Sequence, residues 1–499
     1  MLLSTAHSQA SLNVEIIQAI LPQLIIAFGI TLALLLVAWR RSQRTIALFT
    51  GAVILVALIA NMSLLVTQPT AVTQLLKVDG YSTFSFSLVL VSALVSLQMS
   101  HQFLKAHIEV HDEYYLLLML LVLGAGVLVT SNHFASLFLG FELLSISLVG
   151  LVGYHRESHY SVESGFKYLV LSATASSFML LGIAFIYSVA GNMSFDANLP
   201  NPIYHQQNLR LFFELGILLF ISGIAFKLSL APFHFWTPDV YQGAPTPVTL
   251  LMATISKVAM FVVLVKCIVA QNYMLHSNVQ LLLMILAIAS MLLGNVLALK
   301  QQNLKRLIGY SSIAHMGYLL IVVIVISNES LAFTWQSVLF YLSAYVVANI
   351  SIFMVMASLQ SQCLGSEKQL SHFKEDLLLS DLKGLFWRAK SQAFLVILAV
   401  LSLAGIPLTM GFIGKFYILS QATIGHAWWL IISLIVGSGI GLAYYLPIIF
   451  TLFYSDDDAQ EGAKQHRSPI LERILVYSFI VIGLVLGIFP DVLSQFMIL

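Results

Sequence analysis

Residues 225–239 read Ala225-Phe226-Lys227-Leu228-Ser229-Leu230-Ala231-Pro232-Phe233-His234-Phe235-Trp236-Thr237-Pro238-Asp239. The stretch begins as the end of an apolar helix and then breaks. Pro232 removes a backbone donor and disfavours helix at the residue before it. Pro238 repeats the interruption, and Gly243, Pro245 and Pro247 follow. A lysine stands just before the break and a histidine just after it. In lipid, freed backbone groups and a buried ammonium must face protein or water. A broken helix that carries charge is therefore the first place to seek transport chemistry.

The rest of the chain fits a lipid setting. Of 499 residues, 59% are hydrophobic and only 9% are charged, against about a quarter charged in soluble domains. Apolar runs of spanning length recur: 13–39, 46–67, 81–99, 114–130, 134–154, 165–190, 211–230, 248–270, 279–299, 307–326, 335–359, 393–420, 428–454 and 474–490. That is about 14 spans. The first run is too long for a cleaved signal. Basic residues follow the odd spans (Arg40, Arg41 and Arg44; Lys300, Lys305 and Arg306; Lys383, Arg388 and Lys390), which places both termini outside. The polar stretch Gln360–Ser391 reads as a surface helix, a docking loop or a plain connector, and Ser455–Ser468 as a solvated loop.

A faint internal repeat is present. Leu228-Ser229-Leu230-Ala231 is echoed by Leu401-Ser402-Leu403-Ala404-Gly405-Ile406-Pro407, and a lysine accompanies each break, Lys227 and Lys415. The breaks fall in spans 7 and 12, an odd offset, so two five-helix units would be inverted relative to each other. The expected fold is an all-α polytopic membrane protein with two such repeats. The expected divisions are a three-helix region at 1–112, repeats at 113–270 and 271–455, and a final loop and helix at 456–499.

Several chemistries are missing from the sequence. A net charge of +1 gives no case for nucleic acid. The cysteines, Cys267 and Cys363, form no CxxC or iron–sulfur set, and HExxH and a Walker A loop are absent. Gly411–Phe416 resembles a Walker fragment without its spacing, and Gly437, Gly439 and Gly441 read as close helix packing. No energy source is visible in the chain.

What stands out is charge inside spans, where one ionisable side chain costs about 2.5–3.5 kcal/mol. Glu142 lies mid-span, Lys227 and Lys257 are flanked by apolar sequence, and Lys415 lies beyond the second break. The plain alternatives are a hydrogen-bonded carboxyl and snorkelling or paired lysines. Lys167 lies nearer a span end, and Glu214 and Lys266 are expected at the interface. Burial disfavours an ammonium and a nearby carboxylate restores it, so small changes in hydration or separation can load or release a proton. His234 and His315 titrate nearer neutrality. Glu113 opens the fourth span beside Asp112, either as a charge favoured by the helix dipole or as a group receiving a proton from a neighbour. Acid, lysine, histidine and lysine on successive spans read as a lateral proton wire.

At these residues the sequence resembles a known family. Phe226-Lys227-Leu228-Ser229-x-x-Pro232-Phe233-His234-x-Trp236-x-Pro238-Asp239-x-Tyr241-x-Gly243-Ala244-Pro245 is similar to the signature of the antiporter-like membrane subunits of respiratory complex I, bacterial NADH–quinone oxidoreductase. Leu304-Lys305-Arg306-Leu307-x-Gly309-Tyr310-Ser311-Ser312-Ile313-x-His315-x-Gly317-Tyr318 resembles a second motif, and Gly405-Ile406-Pro407 through Lys415-Phe416 a third. The resemblance implies a proton-translocating subunit in the inner membrane, driven by redox energy released elsewhere. Glu142 and Lys227 would be a gating pair, Lys257 the central relay aided by His234, and Lys415 the terminal lysine. Lys305 and His315 would belong to the hydrophilic axis, and Lys167 matches a family lysine. NADH, FMN, iron–sulfur clusters and quinone would reside in partner subunits. The antiporter-like subunit M and small subunits such as K, J and A would be neighbours. The rival readings are a subunit of a multisubunit cation/proton antiporter and a non-pumping structural spacer.

Overall fold

The computed structural model describes residues 2–65, 69–106, 112–195, 207–271, 277–326, 331–364, 377–454 and 470–493. Helices dominate. In chain order they are α1 (Leu2–Ala38), α2 (Gln43–Met62), α3 (Gly80–Ala106), α4 (Glu113–Thr130), α5 (Phe134–Val152), α6 (His159–Ala190), α7 (Gln207–Leu228), α8 (Trp236–Gly243), α9 (Thr246–Ala253) and α10 (Ile255–Gln271). There follow α11 (Ser277–Ala298), α12 (Leu304–Ile324), α13 (Leu331–Leu364), α14 (Leu385–Arg388), α15 (Lys390–Ala404), α16 (Met410–Ile424), α17 (Trp428–Phe453) and α18 (Ile470–Ile488). A two-stranded hairpin pairs Thr70–Ala71 with Lys77–Val78.

Among the described residues, 13 segments are long and apolar enough to cross a membrane. The shorter α15 joins α16 across a break to complete the set expected from the sequence. The molecule is thus an all-α polytopic membrane protein. The segment Thr246–Ala270 is wholly enclosed, and α12 and α13 nearly so, whereas α1, α2 and α18 lie at the edge. Burial rather than amphipathicity sorts these helices, because in lipid both faces of a span are apolar.

Both expected breaks are present and close in the same way. At the first, Ser229 adopts φ 62° and the Leu230 N–H donates to Ala225 O (2.8 Å). At the second, Gly405 adopts φ 80° and the Ile406 N–H donates to Leu401 O (3.1 Å). A left-handed residue followed by a bond reaching five residues back is the Schellman end of a helix. Glycine takes this conformation freely, whereas Ser229 is strained in it. A third interruption was not expected: α9 ends at Thr254 (φ −108°, ψ −71°), where the span 248–270 had read as continuous. The Thr254 hydroxyl donates to Leu250 O (2.7 Å), a back-bond that bends helices.

Two residues expected at the interface are enclosed by protein. Glu214 is buried; it accepts from Arg210 (2.9 Å) and Asn278 (2.8 Å). Lys266 is likewise enclosed, ion-paired with Asp79 (3.4 Å) and donating to Ser82 Oγ and Val129 O. Of the three glycines on α17, Gly437 does meet close neighbours: a Cβ there would lie 2.9 Å from Tyr318 Oη, while Gly439 has nothing near. In the polar stretch, Leu379–Leu382 forms a 3-10 turn ahead of α14. Residues 365–376 and the loop Ser455–Ser468 lie outside the described residues.

Hydrogen bonds from Leu304 to Leu377 O, Leu379 to Gln302 O and Gly384 to Thr451 O gather the lysine- and arginine-rich connections at one end of the bundle, termed here the basic face. The hairpin and the Asp79–Lys266 pair mark the opposite face. Burial pushes the Asp79 carboxyl up, but the Lys266 charge and the Ser82 hydrogen bonds outweigh it and hold it below the usual range. The pair's stabilisation is therefore present above the ordinary aspartate pKa of about 3.9 and is lost as pH falls through the lower folded value. Asp79→Asn, which leaves Lys266 buried without its partner, is expected to cost about 3 kcal/mol at pH 7. Thermal unfolding of the detergent-solubilised protein checks this; an unchanged midpoint would show that the pair contributes nothing.

Candidate functional site

The buried lysines meet the ends of broken helices. Breaking a helix leaves terminal carbonyls without intrahelical donors. Lys257, on α10, donates to Lys227 O (3.0 Å) at the end of α7 and to the Ser229 hydroxyl. Lys415, on α16, donates to Leu403 O (3.1 Å) and Ala404 O (2.9 Å) at the end of α15. Lys305, on α12, donates to Ala244 O (2.7 Å) and more distantly to Gln242 O at the end of α8. Each ammonium sits at the negative end of a helix dipole. The lysine that serves the first break is thus Lys257 from another helix, not Lys227, the lysine paired with Lys415 by the sequence repeat.

Lys227 is held differently. It is fully buried, and its ammonium donates to the Tyr168 hydroxyl and, at 3.4 Å, to Ser172. It lies 4.6 Å from the Tyr168 ring centroid and 5.1 Å from that of Phe141. Glu142, beside Phe141 on α5, is within electrostatic reach of Lys227, yet its Oε1 has no hydrogen-bond partner among the described residues. The expected pair are near neighbours with no salt bridge between them among the described residues. Among the described residues Lys227 makes no bond to a backbone carbonyl.

From Lys257 the polar line continues inward. Ser229 accepts from Thr237 (2.7 Å), and the Lys257 ammonium lies 5.6 Å from the Trp236 ring centroid. Trp236 touches Tyr168 and Tyr241, and the buried Tyr241 hydroxyl has no partner among the described residues. Beyond it, Tyr345 donates to Ser312 (2.7 Å). His315 shares hydrogen bonds with the hydroxyls of Tyr341 (2.6 Å) and Tyr445 (3.2 Å). A small void of about 10 Å³, room for about one water, is lined by His315, Tyr341, Tyr345 and Lys415. Lys415 also lies 5.1 Å from the Tyr318 ring centroid, and Tyr318 accepts from Asn295 (2.7 Å).

Other expected site residues stand apart from this line. Lys167 belongs to a partly exposed cluster at the basic face, paired with Glu163 (2.7 Å) and Asp239 (3.3 Å), which also pairs with Arg306 (2.7 Å). Glu113 is exposed at the start of α4. His234 is buried and stacked on Phe235; among the described residues its Nδ1 has no partner and no bond joins it to Lys257.

Sequence reading missed the hydroxyls that link the lysines: Tyr168, Ser229, Tyr341 and Tyr445. Only Ser229 left a signal, since it sits in the break. It also missed Gln421 on α16, whose amide is buried with both polar atoms unpartnered among the described residues. Gln421 lies between Lys415 and the opposite face, where an open groove of about 820 Å³ is lined by residues including Gln280, Val325, Gly425 and His426.

Residues 131–441 match the family described as NADH:quinone oxidoreductase/Mrp antiporter, transmembrane. The chain belongs to that family. Three solved structures have similar chains. One, from the respiratory complex I of Thermus thermophilus with bound aureothin, is 28% identical, with a TM-score of 0.79 over 95% of this chain and 98% of that one. One from an archaeal membrane-bound sulfane sulfur reductase is 20% identical, with a TM-score of 0.80 over 96% and 95%. One from the Mrp complex of Dietzia sp. is 17% identical, with a TM-score of 0.80 over 97% and 96%. The last two likenesses concern the fold alone. The matched span of this NADH:quinone oxidoreductase/Mrp family member includes both breaks and all the buried lysines described above.

Gly405 tests the lysine-capped break. A Cβ there would lie 2.8 Å from Lys415 Cδ, and the left-handed backbone penalises any side chain. Gly405→Ala is expected to cost about 1–2 kcal/mol in backbone strain alone and to displace Lys415. A thermal midpoint equal to wild type would contradict both effects.

Proposed function

We propose that this chain is a proton-translocating membrane-arm subunit of a respiratory NADH–quinone oxidoreductase, of the kind called subunit N. Redox energy released in partner subunits would drive protonation changes along Glu142, Lys227, Lys257, His315 and Lys415. The observation that carries the reading is the buried line from Lys227 through Lys257, the hydroxyls and His315 to Lys415. Neutral donors would satisfy the freed carbonyls at lower cost, so ionisable groups buried there support a proton-carrying role. The 28% identity over nearly the whole of a complex I chain favours a redox-driven complex. Lysine at 415, where subunit M characteristically has glutamate, favours N.

In this scheme a proton taken up near the basic face reaches Lys227 while Glu142 is distant. Approach of Glu142 would hold the ammonium; withdrawal would release the proton through the Tyr168 hydroxyl and water to Lys257. Lys257 would pass charge along the Trp236–Tyr241 interior towards His315. Lys415 would discharge past Gln421 towards the opposite face. Lys305 would hold the end of α8 at the cytoplasmic mouth, with Lys167 in the rim cluster beside it. Glu113 would meet a neighbouring subunit, and His234 would stand beside the line as an auxiliary base. NADH, FMN, iron–sulfur clusters and quinone would be bound by partners, subunit M and small subunits among them. The two Schellman breaks support the inverted-repeat plan.

Lys227→Ala in the assembled complex is expected to lower the proton yield per electron while the complex still assembles. Undiminished pumping with normal electron transfer would remove Lys227 from the mechanism. The family description itself also names the Mrp antiporter. Under that second reading, purified protein in vesicles without redox partners would exchange sodium for protons. The redox-driven reading expects no robust exchange there.

A further inference from the structure

A second polar site lies away from the lysine line, between α13, α15 and α18. Glu472, in the first turn of α18, is buried, with 6% of its surface exposed. Gln392, in the first turn of α15 and two residues from exposed Lys390, donates to Glu472 Oε1 (3.1 Å) and to Ser358 Oγ (2.8 Å). Those two bonds fix the amide's orientation, yet its Oε1 has no partner among the described residues although Gln392 is 5% exposed. A buried amide oxygen without a donor is costly and marks a place for water.

A cavity lies farther along the same helices. One turn below Gln392, Leu395 opens the lining of a narrow cavity of about 20 Å³ shared by α13, α15, α18 and the second break, with Ser351, Ser402 and Thr409 as its polar members. Ser402 also lines the small void that holds Lys415 and His315, so one residue forms the wall between the two spaces. Each space has room for about one water. Ser402 is itself fixed, because its hydroxyl accepts from the Gly411 N–H (3.0 Å) across the break.

We propose that Glu472 is a proton-loading carboxyl and that the second half of the chain has its own inlet, running from the basic face through Glu472 and Gln392, the Ser351 cavity and Ser402 to Lys415. The proposal rests on the proton-translocating reading above. A proton from bulk water binds the Glu472 carboxylate. When Lys415 is neutral, the carboxyl O–H bond breaks and an N–H bond forms at Lys415, with intervening water and hydroxyls passing protons in one direction. Glu472 is then recharged from the basic face. No oxidant or reductant takes part. Lys415 thus has a supply that does not pass through Lys227.

The test compares variants of the assembled complex in vesicles, scored as proton yield per electron, with assembly and thermal midpoint measured alongside. Glu472→Gln keeps a hydrogen-bonding group but cannot carry the proton, and is expected to lose yield to the level of Lys415→Ala. Glu472→Asp, which can carry it, is expected to restore most of the yield. Should Glu472→Gln fail to assemble, Ser351→Val decides instead: it removes one cavity hydroxyl whose bond among the described residues is to Val347 O of its own helix, and a lowered yield is expected. Wild-type yield in Glu472→Gln, or in Ser351→Val, beside a deficient Lys415→Ala overturns the inlet and leaves the wider reading intact. Wild-type yield in Lys415→Ala would instead sink the proton-translocating reading of that half.

Discussion

A helix interrupted in an apolar medium must find donors for its exposed carbonyls, and in this molecule lysines supply them. Lys257, Lys305 and Lys415 each bond carbonyls at the end of an interrupted helix, and Lys266 does the same for Val129 O at the end of α4. The arrangement meets two costs with one contact. The carbonyls gain donors that lipid does not offer, and the ammonium gains acceptors and the negative end of a dipole. It also ties protonation to backbone structure. An amine that gives up its proton donates less strongly, so the state of the lysine and the geometry of the break influence each other.

Lys227 sits outside this pattern. Hydroxyls and aromatic faces hold it, with Glu142 near and the Glu142 Oε1 without a partner among the described residues. In the second half, among the described residues, no carboxylate accompanies Lys415 in its void; His315 and tyrosine hydroxyls do. The two halves share a broken helix and a capping lysine but differ in what surrounds it.

Much of the polar structure is built from single hydroxyls at helix contacts rather than from ion pairs. Tyr168, Ser229, Thr237, Ser312, Tyr341, Tyr345 and Tyr445 supply short bonds without net charge. In a low-dielectric interior such groups lower the cost of a transient charge more cheaply than permanent ions would. Among the described residues, the unpartnered amide oxygen of Gln392 and the unpartnered amide of Gln421 are places that suit water.

The sequence by itself determined the membrane class, the approximate spans, both breaks and the candidate lysines. Those follow from composition and from proline and glycine, whose effects are local. The pairing of lysines with helix ends was decided only in three dimensions. Lys257 reaches the end of α7 from α10, a contact across 30 residues of chain that no periodicity announces. For the same reason Glu214 and Lys266 looked interfacial: their partners Asn278 and Asp79 lie 64 and 187 positions away in sequence. The hydroxyl links, the bend at Thr254 and the Glu472–Gln392 contact were illegible because serine, threonine, tyrosine and glutamine in an apolar run look alike whether they face lipid, a neighbour or water. Packing of distant helices makes that choice, since it alone sets which groups share a dry interior.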